Sequence, residues 1–128
     1  MTELFILDGI SYNVDVMSLA REFSVVENAA SGVTQNGEVY RDPIGTYYNY
    51  TMTVAQKGND FASLDAFWDA ISTPDVSHVC VFPYNQTTMT QRMYVTAGTQ
   101  NVRRVRPGRV EWDEIFVSFT AMAPKVVP

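Results

Sequence analysis

The chain has 128 residues, enough for one domain with a real hydrophobic core, and we expect a single domain over residues 1–128. Hydrophobic residues make up an ordinary 46%, whereas charged residues make up 18%, below the usual share of about 25%. The net charge of −5 argues against general affinity for nucleic acid or anionic membranes, and one cysteine excludes an internal disulfide.

The first residues, MTELFILDG, lack the basic and long apolar regions of a signal peptide. No apolar run approaches the roughly 20 residues that a helix needs to span a bilayer. We therefore expect a protein that is made in the cytoplasm, or assembled into something there, without membrane contact.

The first predicted element is a β-hairpin. Residues 4–7 and 10–14 are its strands, and Asp8-Gly9 supplies the positive φ angles of a two-residue type I′ turn. Residues 16–27 follow as a long strand whose apolar side chains alternate along one face.

Residues 28–45, NAASGVTQNGEVYRDPIG, show no sustained period. Within them, residues 35–38 predict a tight turn with short strands at 33–34 and 39–40. A long segment of this kind is uncommon unless it is functional or flexible. It is either a disordered flap or an arm that orders against a neighbouring subunit, and both interpretations stay open. Its candidate contact residues are Ser31, Gly32, Thr34, Asn36, Gly37, Glu38, Tyr40, Arg41 and Asp42.

A strand at residues 45–56 precedes the one predicted helix, at residues 59–73. The helix has an apolar stripe at helical spacing, widened by Phe67, and Asn59 or Asp60 is the candidate N-cap. The predicted core residues of this stripe are Phe61, Leu64, Trp68 and Ile71. Thr73-Pro74 ends the helix, because a residue before proline is pushed out of the helical region.

The rest of the chain is predicted to form β-strands. Residues 77–82 form one, ended by Pro83 and a turn, and residues 87–96 form its partner. Residues 97–101 are expected to be a loop.

A ribbon then turns at Pro107-Gly108, and residues 111–122 form the last strand. Because Trp112 is out of phase with the later apolar residues, we expect a β-bulge near Asp113-Glu114. About seven mostly antiparallel strands predict a mainly β protein, a β-sandwich or half-closed barrel with the helix over an open end or edge.

Residues that could carry chemistry are scarce. His78 and Cys80 share a strand face, but no other Cys or His completes a metal site, and no nucleophile motif accompanies His78. Glu111 and Asp113 could resemble a paired-carboxylate site, although a solvated strand end explains them as well. We therefore expect no enzymatic activity, catalytic residue, cofactor or metal.

Four arginines lie within seven residues of this acidic chain, at Arg103, Arg104, Arg106 and Arg109. Charges so concentrated are expected to have an acidic partner. Three interpretations stay open, in this order: a contact to an acidic neighbouring subunit, a solvated turn, and a phosphate or nucleic-acid site. The last is disfavoured by the absence of aromatic residues nearby in the sequence and by the net negative charge.

A series of short pieces also follows one another in a characteristic order along the chain. The pieces are Ser31-Gly32, Gly37, Arg41-Asp42, Ile44-Gly45-Thr46, Asn49-Tyr50, Phe82-Pro83-Tyr84, Tyr94-Val95-Thr96, Trp112, Phe119-Thr120-Ala121 and Pro124. In this order they resemble the small tail structural proteins of siphophages and prophages of Gram-positive bacteria.

The resemblance implies a tail-tube-like β-sandwich with one flanking helix and a long loop, assembled as rings that are commonly hexameric. It implies a virion protein, assembled in the host cytoplasm beside other phage tail proteins, in the tail tube or in the tail-tip or baseplate region. An acidic lumen would let DNA pass without specific binding. The rival interpretation is a tail-tip module that binds carbohydrate or a receptor through Tyr47, Tyr48, Tyr84 and Tyr94.

Overall fold

A computed structural model describes residues 5–27, 32–33 and 35–127. Its elements in chain order are β1 (Ile6–Leu7), β2 (Val14–Glu27), β3 (Gly32–Val33), β4 (Val39–Tyr40), β5 (Pro43–Gln56), α1 (Phe61–Ser72), β6 (His78–Tyr84), β7 (Thr87–Tyr94), β8 (Gly98–Arg106) and β9 (Arg109–Ala121). The prediction of a mainly β, antiparallel fold with one flanking helix is confirmed for these residues.

One seven-stranded sheet dominates the described part of the chain, in the order β1-β6-β7-β9-β5-β2, with β8 also paired to β9. The last strand, β9, holds the sheet together. Val117 of β9 faces Met52 of β5 on one side and Gly98 of β8 on the other, and the end of β9 pairs with β7. The sheet is not closed into a barrel, which agrees with the predicted sandwich or half-closed barrel.

The core is a cluster of buried side chains from the sheet and the helix. It is built from alternate residues of the central strands, as the period of a strand requires. The fully buried large side chains are Leu7, Tyr50, Met52, Val54, Leu64, Phe67, Cys80, Phe82, Met93, Ile115 and Phe119. Helix α1 contributes Leu64 and Phe67 to this cluster and therefore covers part of the sheet.

The helix begins and ends where its sequence predicts. Asp60 is the N-cap, and one of its carboxylate oxygens accepts from the Ser63 amide at 3.0 Å. Thr73 is extended, as expected before Pro74.

The predicted core stripe of the helix is correct in part. Leu64 and Ile71 are buried and Trp68 is half-buried, but Phe67 is fully buried while Phe61 is 37% exposed. The prediction that Phe61 is buried is wrong because helical side chains lean toward the N-terminus, so that of the first residue projects past the helix end.

Several strand boundaries differ from the sequence prediction. The type I′ turn at Asp8-Gly9 is present, with φ of 50° and 81°, and Leu7 bridges Ile10 across it. Among the described residues the hairpin does not continue beyond this bridge, while β1 also pairs with β6. Residues 98–101 belong to β8 rather than to a loop.

Strand β6 also runs through Pro83 to Tyr84, instead of ending before the proline. Tyr84 and Thr87 flank the turn to β7, so the Pro83 nitrogen, one residue earlier, faces away from β7. Strand β1 covers β6 only at Cys80 and Val81, so no ladder bond is lost at the proline.

The predicted bulge near Asp113-Glu114 is confirmed. Gln100 faces Ile115 and Val102 faces Trp112, which leaves two β9 residues opposite Asn101 alone. A second irregularity at Arg103 on β8 restores the pairing, so that Arg106 faces Arg109 across the Pro107-Gly108 turn.

Candidate functional site

The arginine hairpin, residues 102–113 of β8 and β9, contains the densest charge of the chain. It turns at Pro107-Gly108, where Gly108 has a φ of 76° that favours glycine. All four arginine side chains are at least half exposed to solvent.

Glu111 lies at the centre of this charge. Its carboxylate accepts from Arg104 Nε and from Arg109 Nη2, both at 2.5 Å, and lies 3.8 Å from Arg106 Nε. The Glu111 side chain is only 17% exposed. The pKa of Glu111 is lowered, and the hydrogen bond from Arg109 is the largest cause. Burial, the next largest effect, raises it, while the hydrogen bond from Arg104 and the charges of Arg104 and Arg106 lower it further.

The fourth arginine has its own carboxylate partner. Arg103 Nε donates to Asp113 Oδ1 at 2.9 Å. Each of these two residues lies at one of the two pairing irregularities between β8 and β9. Both partners are carboxylates of this chain, so the expected acidic partner of the arginines is present within the chain itself. The contact of the arginines with a neighbouring subunit stays a prediction.

Two aromatic rings lie at the arginine hairpin, so the expectation that aromatic residues are absent there is wrong: Trp112 belongs to the hairpin itself, and Phe61 comes from the helix. The Arg109 guanidinium carbon lies 5.9 Å from the centre of the Phe61 ring. Phe61 and Trp112, which is 40% exposed, line the same cleft of about 430 Å³ between the helix and the hairpin. Sequence reasoning missed this arrangement because Phe61 comes from the helix, more than forty residues away in the chain.

The arm contains the predicted short ribbon. Strands β3 and β4 pair Gly32 with Tyr40 and Val33 with Val39, and Gly37 has a φ of 82° in the turn between them. Of the candidate contact residues, Gly32, Asn36, Gly37, Glu38, Arg41 and Asp42 are exposed. Ser31 and Thr34 lie outside the described residues.

An ion pair ties the base of the arm to the sheet. Arg41 Nε donates to Glu27 Oε1, and Glu27, the last residue of β2, pairs with Pro43, the first residue of β5. Arg41, which follows β4 in the chain, is therefore paired with the end of β2, whereas Arg103 of the arginine hairpin is paired with Asp113.

Strand β2 is the most exposed long strand. Its fourteen residues pair with β5 alone, and both of its faces are largely open to solvent in the single chain. Met17 is 59% and Phe23 is 69% exposed. The other exposed apolar residues of this strand are Val16, Val25 and Val26.

The tyrosines of the rival interpretation lie on two faces of the sheet. Tyr48 and Tyr84 point inward and meet edge-on with ring centres 5.6 Å apart, and the Arg21 guanidinium carbon lies 5.7 Å from the Tyr84 ring. Tyr47 and Tyr94 neighbour inward-pointing residues along their strands and so point outward. The four rings do not form one platform.

The residues with potential chemistry are engaged in structure. His78 is buried, and its Nδ1 lies 2.7 Å from Asp8 Oδ2, while Asp8 Oδ1 accepts from the Val79 amide at 2.8 Å. Burial raises the pKa of the Cys80 thiol to about 12, which leaves it unreactive at neutral pH. Among residues 5–27, 32–33 and 35–127, no group of three His, Cys, Asp or Glu side chains is placed to hold a metal ion.

Comparison with known proteins gives no family for the chain. No protein-family model matches the sequence, and no curated protein matches it significantly. The one helix within the described residues has twelve residues, too few to cross a membrane.

Proposed function

We propose that this chain is a structural subunit that assembles with copies of itself into rings. The observation that carries the proposal is the pair of long free edges of the sheet, β2 and β8, each of which has only one strand neighbour in the described structure. A free edge presents a row of unpaired backbone groups, and soluble proteins normally shorten or cover such edges.

The side chains along these edges strengthen the proposal. Strand β2 carries exposed apolar residues from Val16 to Val26, over about 36 Å, the length of eleven extended residues. Strand β8 adds Val102 and Val105, both exposed. Apolar surface of this extent on a monomer marks a site of protein contact.

Two different edges on one subunit favour a ring over a simple dimer. When the surfaces that meet are different, each copy contacts the next head to tail, and the chain of contacts closes if the rotation allows it. Charge does not decide this pairing: β2 carries Asp15, Glu22 and Glu27 against one arginine, but the arginines of β8 already pair with Glu111 and Asp113 of the same chain.

The resemblance to siphophage tail proteins supports the proposal that these rings are part of a phage tail. The rings would belong to the tail tube or to the tail-tip or baseplate region of a virion, would commonly be hexameric, and would contact other tail proteins. DNA would pass through the lumen without specific binding, which suits the net charge of −5. In this role the protein is not an enzyme and needs no cofactor.

The experiment is sedimentation velocity on variants of the β2 edge. Phe23→Lys with Val25→Lys puts two charges on exposed apolar positions, so the fold is kept while an edge contact is disfavoured. We expect the natural protein to sediment as a closed multimer and this variant as a monomer. Val76→Lys, at an exposed apolar residue in a loop, is the matched control and keeps the multimer.

The proposal is contradicted if the natural protein sediments as a monomer at concentrations at which comparable ring-forming proteins are fully assembled. That result would favour the rival function, a tail-tip module that binds carbohydrate or a receptor. The contact of Tyr48, Tyr84 and Arg21 is the observation that supports this alternative.

A further inference from the structure

The arginine hairpin and the start of the helix together have the composition of a site for single-stranded nucleic acid. Such sites combine guanidinium groups, which bind phosphates, with aromatic faces on which bases stack. Here Arg103, Arg104 and Arg109 line a cleft together with the half-exposed rings of Phe61 and Trp112.

Two carboxylates of strand β9 already accept the arginine hydrogen bonds that a phosphate would accept. Glu111 is held by Arg104 and Arg109 at 2.5 Å and faces Arg106 at 3.8 Å, and Asp113 is held by Arg103 at 2.9 Å. Together with Glu114, they leave a net charge of only +1 on this surface.

We propose that Glu111 and Asp113 mask the arginine hairpin and so prevent it from binding single-stranded nucleic acid. The inference concerns the single chain and holds whether or not the chain forms rings, so it goes beyond the proposed function.

The mask acts in two ways. A phosphate must first replace a carboxylate that already receives hydrogen bonds from the guanidinium groups, so the bonds gained are offset by bonds lost. The displaced carboxylate then stays within a few ångströms of the phosphate and repels it. Because the arginines are already neutralised, fewer net charges are available to release counterions from the nucleic acid.

The test compares binding of a fluorescent oligothymidine of about twenty nucleotides, longer than the usual site of one small domain, by anisotropy at low salt. The variant is Glu111→Gln with Asp113→Asn, which removes both charges and keeps the side-chain shapes. Its control is Asp69→Asn with Asp75→Asn, which removes two charges at exposed positions outside the arginine hairpin. Circular dichroism and sedimentation of the same samples separate a change in folding or assembly from a change in binding.

We expect the natural protein and the control variant to bind the oligothymidine equally weakly. The unmasked variant should bind it at least about tenfold more tightly, with an affinity that falls steeply as the salt concentration rises. Adding Arg104→Ala and Arg109→Ala to the unmasked variant should remove the gain.

Equal gains in the unmasked variant and the control would overturn the proposal, because net charge alone would then explain them. No gain in a folded unmasked variant would overturn it as well. If the double variant does not fold, Asp113→Asn alone, which frees Arg103 at an exposed position, must still show a smaller gain.

Discussion

The Tyr50 ring lies flat against the Phe82 ring, with centres 4.4 Å apart and planes 4° apart. Their strands, β5 and β6, are not neighbours in the sheet, so the contact joins its two halves across the core. The Tyr50 hydroxyl also donates to the Pro83 carbonyl at 2.9 Å. Both rings belong to the core cluster to which the helix contributes Leu64 and Phe67.

Truncating this contact should strongly destabilise the fold. Phe82→Ala removes a fully buried ring and leaves a cavity between the halves of the sheet, so we expect a loss of about 3–5 kcal/mol in the free energy of unfolding. Tyr50→Phe keeps the stack and loses only the hydroxyl bond, for about 1 kcal/mol. Urea denaturation followed by circular dichroism measures both, and equal losses would mean that the stack contributes little.

The helix offers a graded test of burial. Phe67→Ala should cost about 3–5 kcal/mol because the ring is fully buried, Trp68→Ala should cost less, and Phe61→Ala should cost least. The same denaturation experiment ranks the three variants. A larger loss at Phe61 than at Phe67 would contradict the packing described for the helix.

The N-cap gives a pH-dependent contribution of known sign. Hydrogen bonds from Asn13 and then from Ser63 lower the pKa of Asp60 below its ordinary value of 3.8. A lowered folded-state pKa stabilises the protein above the unfolded-state value and loses that effect as pH falls through the folded-state pKa.

Asp60→Asn keeps an acceptor at the cap but removes the charge, so this variant should melt at a lower temperature than the natural protein at pH 7. The difference should close as pH falls below about 3.8. Thermal melts across this range measure it, and a difference that stays constant down to acid would contradict the assignment.

Gly45 is a site where the C-terminal segment approaches the sheet too closely for a side chain. A Cβ there would lie 2.5 Å from Pro124 Cβ and 2.8 Å from the Val126 carbonyl oxygen. We expect Gly45→Ala to cost about 1–3 kcal/mol, as overpacking does. Gly32→Ala, where a Cβ meets nothing within 4 Å, is the control, and equal stabilities of the two variants would contradict this contact.

Local features of the fold could be predicted from the sequence. The turns at Asp8-Gly9 and Pro107-Gly108 depend on backbone angles that glycine allows, and the cap at Asp60 depends on one side chain. The bulge at Asp113-Glu114, after Trp112, could be inferred because an extra residue in the strand is what restores the alternation of apolar side chains.

Features that depend on distant pairing could not be predicted. The helical period identified the apolar stripe but not which end the sheet covers, so Phe61 was placed in the core. The contact of Phe61 with Arg109 depends on where the arginine hairpin meets the helix, which no local pattern specifies. Glu111 was missed as the partner of the arginines, although it lies two residues after Arg109 and therefore on the same strand face.

Assembly into rings is the central claim. If residues 28–45 act as an arm that contacts the next subunit, as one interpretation of the sequence predicts, deletion of residues 31–42 tests the claim most directly. The deletion leaves residues 28–30 to join Glu27 to Pro43, which already pair, and three residues suffice for a hairpin connection. In negative-stain images and sedimentation at low salt, we expect closed rings of the natural protein and a folded monomer after deletion. Rings of unchanged size after the deletion would contradict the role of the arm, and the absence of rings in the natural protein would contradict the account as a whole.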